Sequence, residues 1–268
     1  MKTVPQKAKK IKRILELENL SFIADKPIID SITWNVDEGQ RWVLLGANGA
    51  GKTSLISTLC AYNTPSSGRM CVDGKEYSNF NWQKVRERIA LVGSQLRQNI
   101  DRSENALEVV VSGKFAQINF WGKITKPLIM EAYKKMKALG VGHLVDSKWG
   151  TLSQGERQKI LIARSLMTKP SVVFLDEPCI GLDPVARKKF IAFMKKLADN
   201  KKIPAIVLAT HYVDEIPDSF THALIIKKGR IIACGKISDV MNSQNLSKAY
   251  GAKCELSKVR GSYSLKVL

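Results

Sequence analysis

A glycine-rich segment at residues 46–53 carries the clearest chemical signal in the sequence. It reads GANGAGKT and fits the pattern GxxxxGK[ST], after an apolar run and before a helical one. Glycines let backbone N–H groups turn towards phosphate oxygens, and a helix N-terminus adds positive potential. We therefore expect a P-loop in which Lys52 bridges the β- and γ-phosphates of a nucleotide and Thr53 binds Mg²⁺. The expected phosphate contacts are Gly46, Ala47, Asn48, Gly49, Ala50, Gly51, Lys52, Thr53 and Ser54.

Two carboxylates follow the apolar run VVFL at residues 172–175. Asp176 and Glu177 stand directly after this run, and acids at the end of a buried strand are uncommon. Because a P-loop lies upstream, Asp176 can hold magnesium through water, and Glu177 can polarise the water that attacks a γ-phosphate. The alternative is that both are ordinary acids at a strand exit.

The segment LSQGE at residues 152–156 has two compatible interpretations. Ser153 and Glu156 have the S-x-x-E spacing of a capping box before an apolar run. A capped helix start in which Gly155 allows close approach is also an anion site. If a second subunit brought this helix to the γ-phosphate, Ser153 and the Gly155 N–H would complete its coordination.

Short apolar runs alternate with helical patterns between these motifs, which indicates a parallel sheet covered by helices. Strands buried on both faces are predicted at residues 42–45, 89–92, 172–175 and 206–209. Helices are predicted at residues 53–61, 131–139, 158–167 and 185–198. Asp183 and Pro184 predict a cap and a first helical position for the last of these helices.

The remaining chain divides into an insertion and a tail. Residues 96–150 lack strand patterns and predict a helical, loop-rich insertion between two sheet strands. Residues beyond Gly229 alternate loosely, which favours a small β element.

Four residues of the motifs follow the ends of predicted strands, namely Gly46, Gln95, Asp176 and His211. Since the carboxyl ends of parallel strands line the ligand crevice of an open sheet, these residues are expected to meet there.

Composition narrows the class of protein. The 268 residues fit one large α/β domain with an insertion, and no apolar stretch approaches the roughly eighteen residues that a membrane-spanning helix needs. No apolar segment follows the basic start, so no signal peptide is predicted. The five cysteines are scattered without a CxxC spacing, which favours reduced thiols in a cytosol over a zinc site or a disulfide framework.

The formal net charge of +19 predicts an anionic neighbour such as nucleotide, phospholipid or nucleic acid. Six of the first thirteen residues are Lys or Arg, and no acid lies among them. The charge is spread over many segments without interleaved aromatic residues, so it does not indicate a base-reading surface. A solvated basic surface is the alternative.

The order and spacing of these motifs resemble the ATP-binding-cassette family. The resemblance covers about residues 14–240 and comprises the P-loop, LSQGE about a hundred residues later, VVFLDEP, GLD at 181–183 and a histidine after a strand. LSQGE separates this family from other P-loop proteins. The segments GQRWVLLGANGAGKTSL, LSQGERQKILIARSLM and DEPCIGLDP look most like the single-cassette branch labelled ModF-like or YlmA-like, which is associated with molybdate or iron transport.

The resemblance implies an α/β fold. Its P-loop NTPase core has a mostly parallel sheet flanked by helices, an antiparallel β N-terminal part and an inserted helical subdomain. The expected division is a basic N-terminal arm at 1–13, an ATPase domain at 14–240 with its helical subdomain at about 96–150, and a C-terminal extension of the same domain at 241–268.

Several site residues follow from the resemblance alone. Gln95 matches the glutamine that touches magnesium and senses the transport partner. His211 matches the switch histidine that contacts the γ-phosphate, and Asp183 matches the loop aspartate that crosses the dimer interface. The implied catalytic residues are therefore Glu177 and His211, and the implied metal ligands are Thr53, Gln95 and Asp176.

Two features depart from the family pattern. Gln154 stands where glycine is commoner, and Glu156 stands where glutamine is commoner, while Ser153 and Gly155 are retained. The aromatic residue that stacks on adenine is not evident. Phe22 is the nearest candidate, and the alternative is that Phe22 belongs to the core.

The implied function is that of a Mg²⁺-dependent ATPase that dimerises with a second copy around two ATP molecules and drives a separate membrane permease. The resemblance also implies that the protein is cytoplasmic and peripheral at the inner face of the membrane. The alternative is a soluble cassette acting on a ribosome, a nucleic acid or a cofactor-assembly complex, which the basic charge mildly favours. A single cassette in the chain favours the transporter.

Overall fold

The computed structural model describes residues 12–268. Residues 1–11, which make up most of the predicted basic arm, lie outside the described residues, as do the side chains of Gln83, Ser94 and Gln95. The described strands are β1 (Arg13–Ile23), β2 (Pro27–Asp37), β3 (Arg41–Leu45), β4 (Ser67–Val72), β5 (Lys75–Glu76), β6 (Ile89–Val92), β7 (Val172–Asp176), β8 (Ala205–Thr210), β9 (His222–Lys227), β10 (Arg230–Lys236), β11 (Cys254–Val259) and β12 (Ser262–Val267). The described α-helices are α1 (Lys52–Leu59), α2 (Trp82–Arg86), α3 (Ser94–Asn99), α4 (Ala106–Ser112), α5 (Lys126–Ala138), α6 (Gln154–Ser165), α7 (Pro184–Ala198), α8 (Ile237–Val240) and α9 (Ser243–Tyr250).

Six strands form the central sheet in the order β10-β9-β3-β8-β7-β6. Neighbouring strands from β9 to β6 run parallel, and β10 runs antiparallel to β9 at the edge. The four predicted strands correspond to β3, β6, β7 and β8, which confirms a mostly parallel sheet. Because β3, β8, β7 and β6 are consecutive in the sheet, the residues after their carboxyl ends lie along one edge.

Both faces of this sheet are buried, which explains why its strands are continuous apolar runs. Successive side chains of a strand point to opposite faces. In β7, Val173 and Leu175 belong to one buried core, and Val172 and Phe174 belong to the other. A strand with two dry faces excludes polar residues until it ends, so the first carboxylate of the run appears at Asp176.

The chain begins with an antiparallel sheet in the order β2-β1-β4-β5. This sheet covers one face of the central sheet, and α1 shares the core between them through Leu55, Ile56 and Leu59. Trp34 of β2 meets Trp42 of β3 edge to face, with ring centroids 5.4 Å apart. The expected antiparallel N-terminal part is therefore confirmed.

The other face of the central sheet is covered by helices. Between β6 and α6 the described chain forms α3, α4, α5 and short 3₁₀ turns, with one isolated β-bridge between Asn105 and Lys148. α4 and α5 pack against α6. The helix predicted at 131–139 starts earlier, at Lys126, because Thr125 precedes it and Pro127 fits its first turn.

The C-terminal residues fold back onto the central sheet. α9 packs against β9 and β10, and the hairpin β11–β12 packs against a 3₁₀ turn at Val213–Glu215. In residues 12–268 no helix combines the length and the apolar composition needed to cross a bilayer. The division into arm, ATPase domain and extension stays a prediction.

Candidate nucleotide site

The loop between β3 and α1 has the backbone of a phosphate cradle. At Gly46 an added Cβ would lie 2.5 Å from the carbonyl oxygen of Ile226, so no larger side chain fits. Gly49 and Gly51 have φ angles of +75° and +103°, in the left-handed region that favours glycine. Among the described residues no side chain caps the start of α1, so its first N–H groups are available to an anion.

The Lys52 ammonium lies inside this loop. Its Nζ donates hydrogen bonds to the carbonyl oxygens of Gly46 at 2.9 Å and Ala47 at 3.2 Å, and it lies 3.5 Å from Glu177 Oε1. The side chain is only 4% exposed. Burial lowers the pKa of Lys52, and the negative charge of Glu177 partly opposes that change.

Asp176 presents an oxygen suited to a cation. Its Oδ1 is buried and has no hydrogen-bond partner in the described part of the chain, whereas its carboxylate accepts a hydrogen bond from Thr53. Burial raises the pKa of Asp176. A nearby cation would offset the cost of burying the charged carboxylate. Mg²⁺ prefers hard oxygen ligands of this kind. The residues present therefore fit magnesium.

Glu177 has a strained backbone beside these groups. Its φ of +47° is left-handed, which is uncommon for a residue with a side chain, and its N–H donates to the carbonyl of Ala209 in β8. Glu177 Oε1 lies 3.1 Å from His211 Nδ1. The turn thus aims one carboxylate between Lys52 and the histidine that follows β8.

The LSQGE segment begins α6 as a capping box, as predicted. The backbone N–H and the hydroxyl of Ser153 donate to Glu156 Oε2 at 2.8 and 2.6 Å, and the Glu156 N–H donates back to Ser153 Oγ at 3.4 Å. An added Cβ at Gly155 would meet only Leu182 at 4.0 Å, so this surface is open. Within residues 12–268 no hydrogen bond of Ser153 reaches the P-loop.

Two glutamines join α6 to the loop after Glu177. Gln154 Nε2 donates to the carbonyl of Ile180, and the buried Gln158 Nε2 donates to the carbonyl of Pro178, each at 2.9 Å. Asp183 ends this loop and caps α7 by accepting the N–H groups of Val185 and Ala186. The predicted cap is confirmed, while an interface role for Asp183 stays a prediction.

Comparison with known proteins identifies the family. A family model described as ABC transporter matches residues 29–180. An uncharacterised ABC transporter ATP-binding protein of Bacillus subtilis strain 168, YlmA, is 39% identical over 87% of this chain and 89% of its own length. A second such protein, YmeB of Lactococcus lactis subsp. lactis strain IL1403, is 34% identical over 93% and 97%. The chain belongs to the ABC transporter family.

A solved structure shares the fold of this ABC cassette. The protein cbiO1 of Clostridium perfringens, described as part of the ABC transporter complex cbiONQ, superposes with a TM-score of 0.74 at 28% identity. The match covers 88% of this chain and 94% of that chain. The family, the ATP-binding role and the α/β cassette fold predicted from the motifs are confirmed.

Two predicted residues of the cassette are placed only in part. The backbone of Gln95 lies in the first turn of α3, directly after β6, at the same sheet edge as Asp176. Phe22 lies opposite Ile29 in the antiparallel sheet, is partly buried, and packs against the core. Magnesium contact by Gln95 and adenine stacking by Phe22 stay predictions.

The structure adds a support for His211 that sequence reasoning missed. The hydroxyl of Tyr250, in α9, donates to the carbonyl oxygen of His211 at 2.8 Å. Burial raises the pKa of Tyr250 to about 12, so the phenol is a neutral donor. Thirty-nine residues separate the two positions. No local motif marks Tyr250, since only the packing of α9 against the sheet brings it there.

A partly buried ion pair lies near the turn that follows the same histidine. Thr210, at the end of β8, hydrogen-bonds to the buried carboxylate of Glu215. Arg187, from α7, lies 3.0 Å from Glu215 and 3.1 Å from Asp214, and its guanidinium covers the ring of Tyr212. These contacts link the start of α7 to the turn after His211.

Proposed function

We propose that this cassette binds Mg²⁺-ATP at the P-loop and hydrolyses it with Glu177 and His211. The observation that carries the proposal is the position of Glu177 Oε1, 3.5 Å from Lys52 Nζ and 3.1 Å from His211 Nδ1. The three side chains follow β7, β3 and β8, which are neighbours in the sheet. A carboxylate there can accept a proton from water while Lys52 faces the phosphates.

In this proposal each side chain has its own part in the reaction. The N–H groups of the P-loop and Lys52 hold the β- and γ-phosphates. Glu177 orients the attacking water and accepts its proton, and His211 positions that carboxylate through Nδ1. Asp176, Thr53 and Gln95 would hold Mg²⁺, which would supply positive charge against the phosphate oxygens.

We further propose that two copies close around two ATP molecules. The signature turn of one copy, through Ser153 and the Gly155 N–H, would face the γ-phosphate bound to the other, and Asp183 would cross the interface. An open glycine at a capped helix start supports this arrangement, because N–H groups there can approach an anion closely.

Transport through a separate permease is the role that we propose for the hydrolysis. The two relatives are named ABC transporter ATP-binding proteins, and cbiO1 is part of a transporter complex. The cassette would then work in the cytoplasm against the inner face of the membrane. Affinity purification from gently solubilised membranes tests this. A multi-span protein should co-purify, and recovery of ribosomes or RNA alone would support the soluble alternative.

The nucleotide proposal is tested by Lys52→Ala. This substitution removes the ammonium that faces the phosphates, so Mg²⁺-ATP affinity should fall at least about tenfold, the equivalent of roughly 1.4 kcal/mol. Isothermal titration calorimetry measures the affinity, and circular dichroism checks that the fold persists. The control is Lys75→Ala, an exposed lysine in β5. Unchanged affinity in a folded Lys52→Ala protein would reject the site.

A further inference from the structure

A basic groove of about 940 Å³ lies between α5, α6, α7 and the loop before β8. We call it the lysine groove. It is lined by Lys135, Lys137, Lys159, Lys169, Lys189, Lys196 and Lys202. The described residues that line it include no Asp or Glu. They also include no residue of the P-loop, and His211 is not among them. The groove is therefore a feature separate from the nucleotide site.

In the described residues these seven ammonium groups form no close ion pair, although acids act on some of them at longer range. In the described part of the chain none of them lies within 4.0 Å of a carboxylate, although Lys114, Lys195 and several arginines do form such pairs. Burial lowers the pKa of Lys135. The charge of Glu131 opposes this change, and those of Lys169 and Lys202 add to it. The positive charges of Lys169 and Lys202 therefore disfavour the charged form of Lys135.

Helix electrostatics explain only part of this cluster. Lys135 and Lys137 lie in the last turn of α5, and Lys196 lies in the last turn of α7, where a cation complements the helix dipole. The other four lysines do not share this explanation, because they lie in the interior of α6 and α7, after a 3₁₀ turn and in a loop. Like charges brought together from several elements are unfavourable unless an anion neutralises them.

The shape of the groove indicates the class of anion. Its volume falls within the range of small-molecule pockets, and its floor is apolar, formed by Leu139, Leu166, Phe193, Leu197 and Ile203. Several lysines act as separate point charges and suit a compact ligand with several phosphates. Phe193 is the one aromatic residue among the described residues that line the groove, and Lys159 Nζ lies 5.5 Å from the centroid of its ring. A stacking platform for nucleic-acid bases is not present there.

We propose that the lysine groove binds a small polyphosphorylated anion at a site distinct from the P-loop. The ammonium groups would contact the phosphates, and the apolar floor would contact the scaffold that carries them. Half-buried Lys135 and Lys159 would supply the least screened contacts, because surrounding protein excludes salt and water. Binding would link α5 and α6 to α7.

Isothermal titration with inositol hexakisphosphate as the probe tests the proposal. ADP at saturation fills the P-loop, and the buffer contains no Mg²⁺. The test variant is Lys135→Gln/Lys189→Gln/Lys202→Gln. The matched control is Lys134→Gln/Lys188→Gln/Lys201→Gln, which alters the preceding lysine in each element, none of which lines the groove, and removes the same charge. The test variant should bind the probe at least about tenfold more weakly than the control.

Three results would overturn the proposal. The wild-type protein could show no saturable binding of the probe. The two triple variants could weaken binding equally, which would indicate general surface charge. The test variant could lose affinity for a single-stranded RNA oligonucleotide while keeping affinity for the probe, which would assign the groove to RNA.

Measuring the affinity for ADP distinguishes a failure of the lysine-groove proposal from a failure of the proposed nucleotide site. Both triple variants should keep wild-type affinity for ADP, because they retain the P-loop. If the test variant fails to fold, the single changes Lys202→Gln and Lys201→Gln on the exposed loop repeat the comparison. The Lys202→Gln change alone should then weaken binding of the probe.

Discussion

Glu177 is the residue on which the proposed chemistry most depends. Its left-handed φ of +47° and its contacts with Lys52 and His211 place one carboxylate oxygen at the meeting point of three strand ends. An Asp or Glu that only ended a strand would not require this conformation. Backbone strain of this kind persists where surrounding structure over-determines it, and such positions cluster at functional sites.

Glu177→Gln should therefore bind ATP but turn it over slowly. The amide keeps the shape of the side chain and can still hydrogen-bond to water, but it cannot accept a proton. Loss of one positioned acid–base group lowers the rate by about a hundred- to ten-thousand-fold. Phosphate release with Mg²⁺-ATP measures turnover, and size-exclusion chromatography should show an accumulated dimer.

The matched control for this change is Glu38→Gln, in the exposed turn before β3. It removes the same charge and should keep the wild-type rate. A monomeric Glu177→Gln protein with near wild-type turnover would remove Glu177 from the mechanism.

At the scale of elements, α9 supports the histidine at the end of β8. Tyr250→Phe removes the hydrogen bond to the carbonyl of His211 and leaves the ring in place. We expect kcat to fall roughly fivefold, the equivalent of a hydrogen bond of about 1 kcal/mol, with little change in ATP affinity. Steady-state kinetics measure both quantities. Tyr263→Phe, whose ring contacts Lys258 in the C-terminal hairpin, is the control and should keep kcat.

The end of α7 depends on a buried arginine. Arg41, at the start of β3, is 6% exposed and donates to the carbonyl oxygens of Ala198 and Ile203 at 2.7 and 2.9 Å, with weaker bonds to three others. Burial lowers the pKa of Arg41, and the carbonyls of the helix end stabilise its charge.

Arg41→Met should leave these carbonyl groups without donors. We expect the free energy of unfolding to fall by about 2–4 kcal/mol, since unsatisfied buried polar groups carry a penalty of about 1–3 kcal/mol each and some would rebind water. Urea denaturation measures this change. Arg13→Met, which removes an exposed pair with Asp37, should cause a much smaller loss. If both variants lost the same free energy of unfolding, the buried contacts of Arg41 would not stabilise the end of α7 as we expect.

At the scale of the whole molecule, no hydrogen bond joins the P-loop to the LSQGE turn within the described residues. In the residues that the structure describes, the side chain of Ser153 hydrogen-bonds only to Glu156, and its carbonyl oxygen accepts the N–H of Arg157 in α6. In the proposed two-copy site, a second copy would supply this turn. The two glutamine contacts of α6 would connect that turn to the Glu177 loop of its own copy.

Ser153→Arg should abolish ATP hydrolysis while ATP binding to the monomer survives, because the arginine cannot coordinate the γ-phosphate in the site that it faces. Lys52→Ala should also be inactive, for a different reason. A mixture of the two variants should regain activity that neither has alone, since one site in the mixed dimer combines an intact P-loop with an intact Ser153. A phosphate-release assay detects this recovery. Wild-type activity of Ser153→Arg alone would exclude the two-copy site.

Features that depend on neighbours within a few residues can be predicted from the sequence. The P-loop, the capping box of Ser153 and Glu156, and the Asp183 cap are local hydrogen-bonding patterns, so their spacing reveals them. The doubly buried strands are equally local, because two dry faces require an apolar run. These runs, with polar residues at their ends, also determined the edge of the sheet at which the site lies.

Contacts between elements that are distant in the chain depend on how the chain folds, and local sequence does not predict them. Tyr250 meets His211, Arg41 meets the end of α7, and the lysine groove assembles seven residues from several elements. No periodicity or spacing in the sequence predicts these contacts. Each one depends on how helices pack over a sheet whose strand order differs from the order of the strands in the chain. The unpartnered oxygen of Asp176 is likewise a property of packing, since a sequence records the carboxylate but not the donors that fail to reach it.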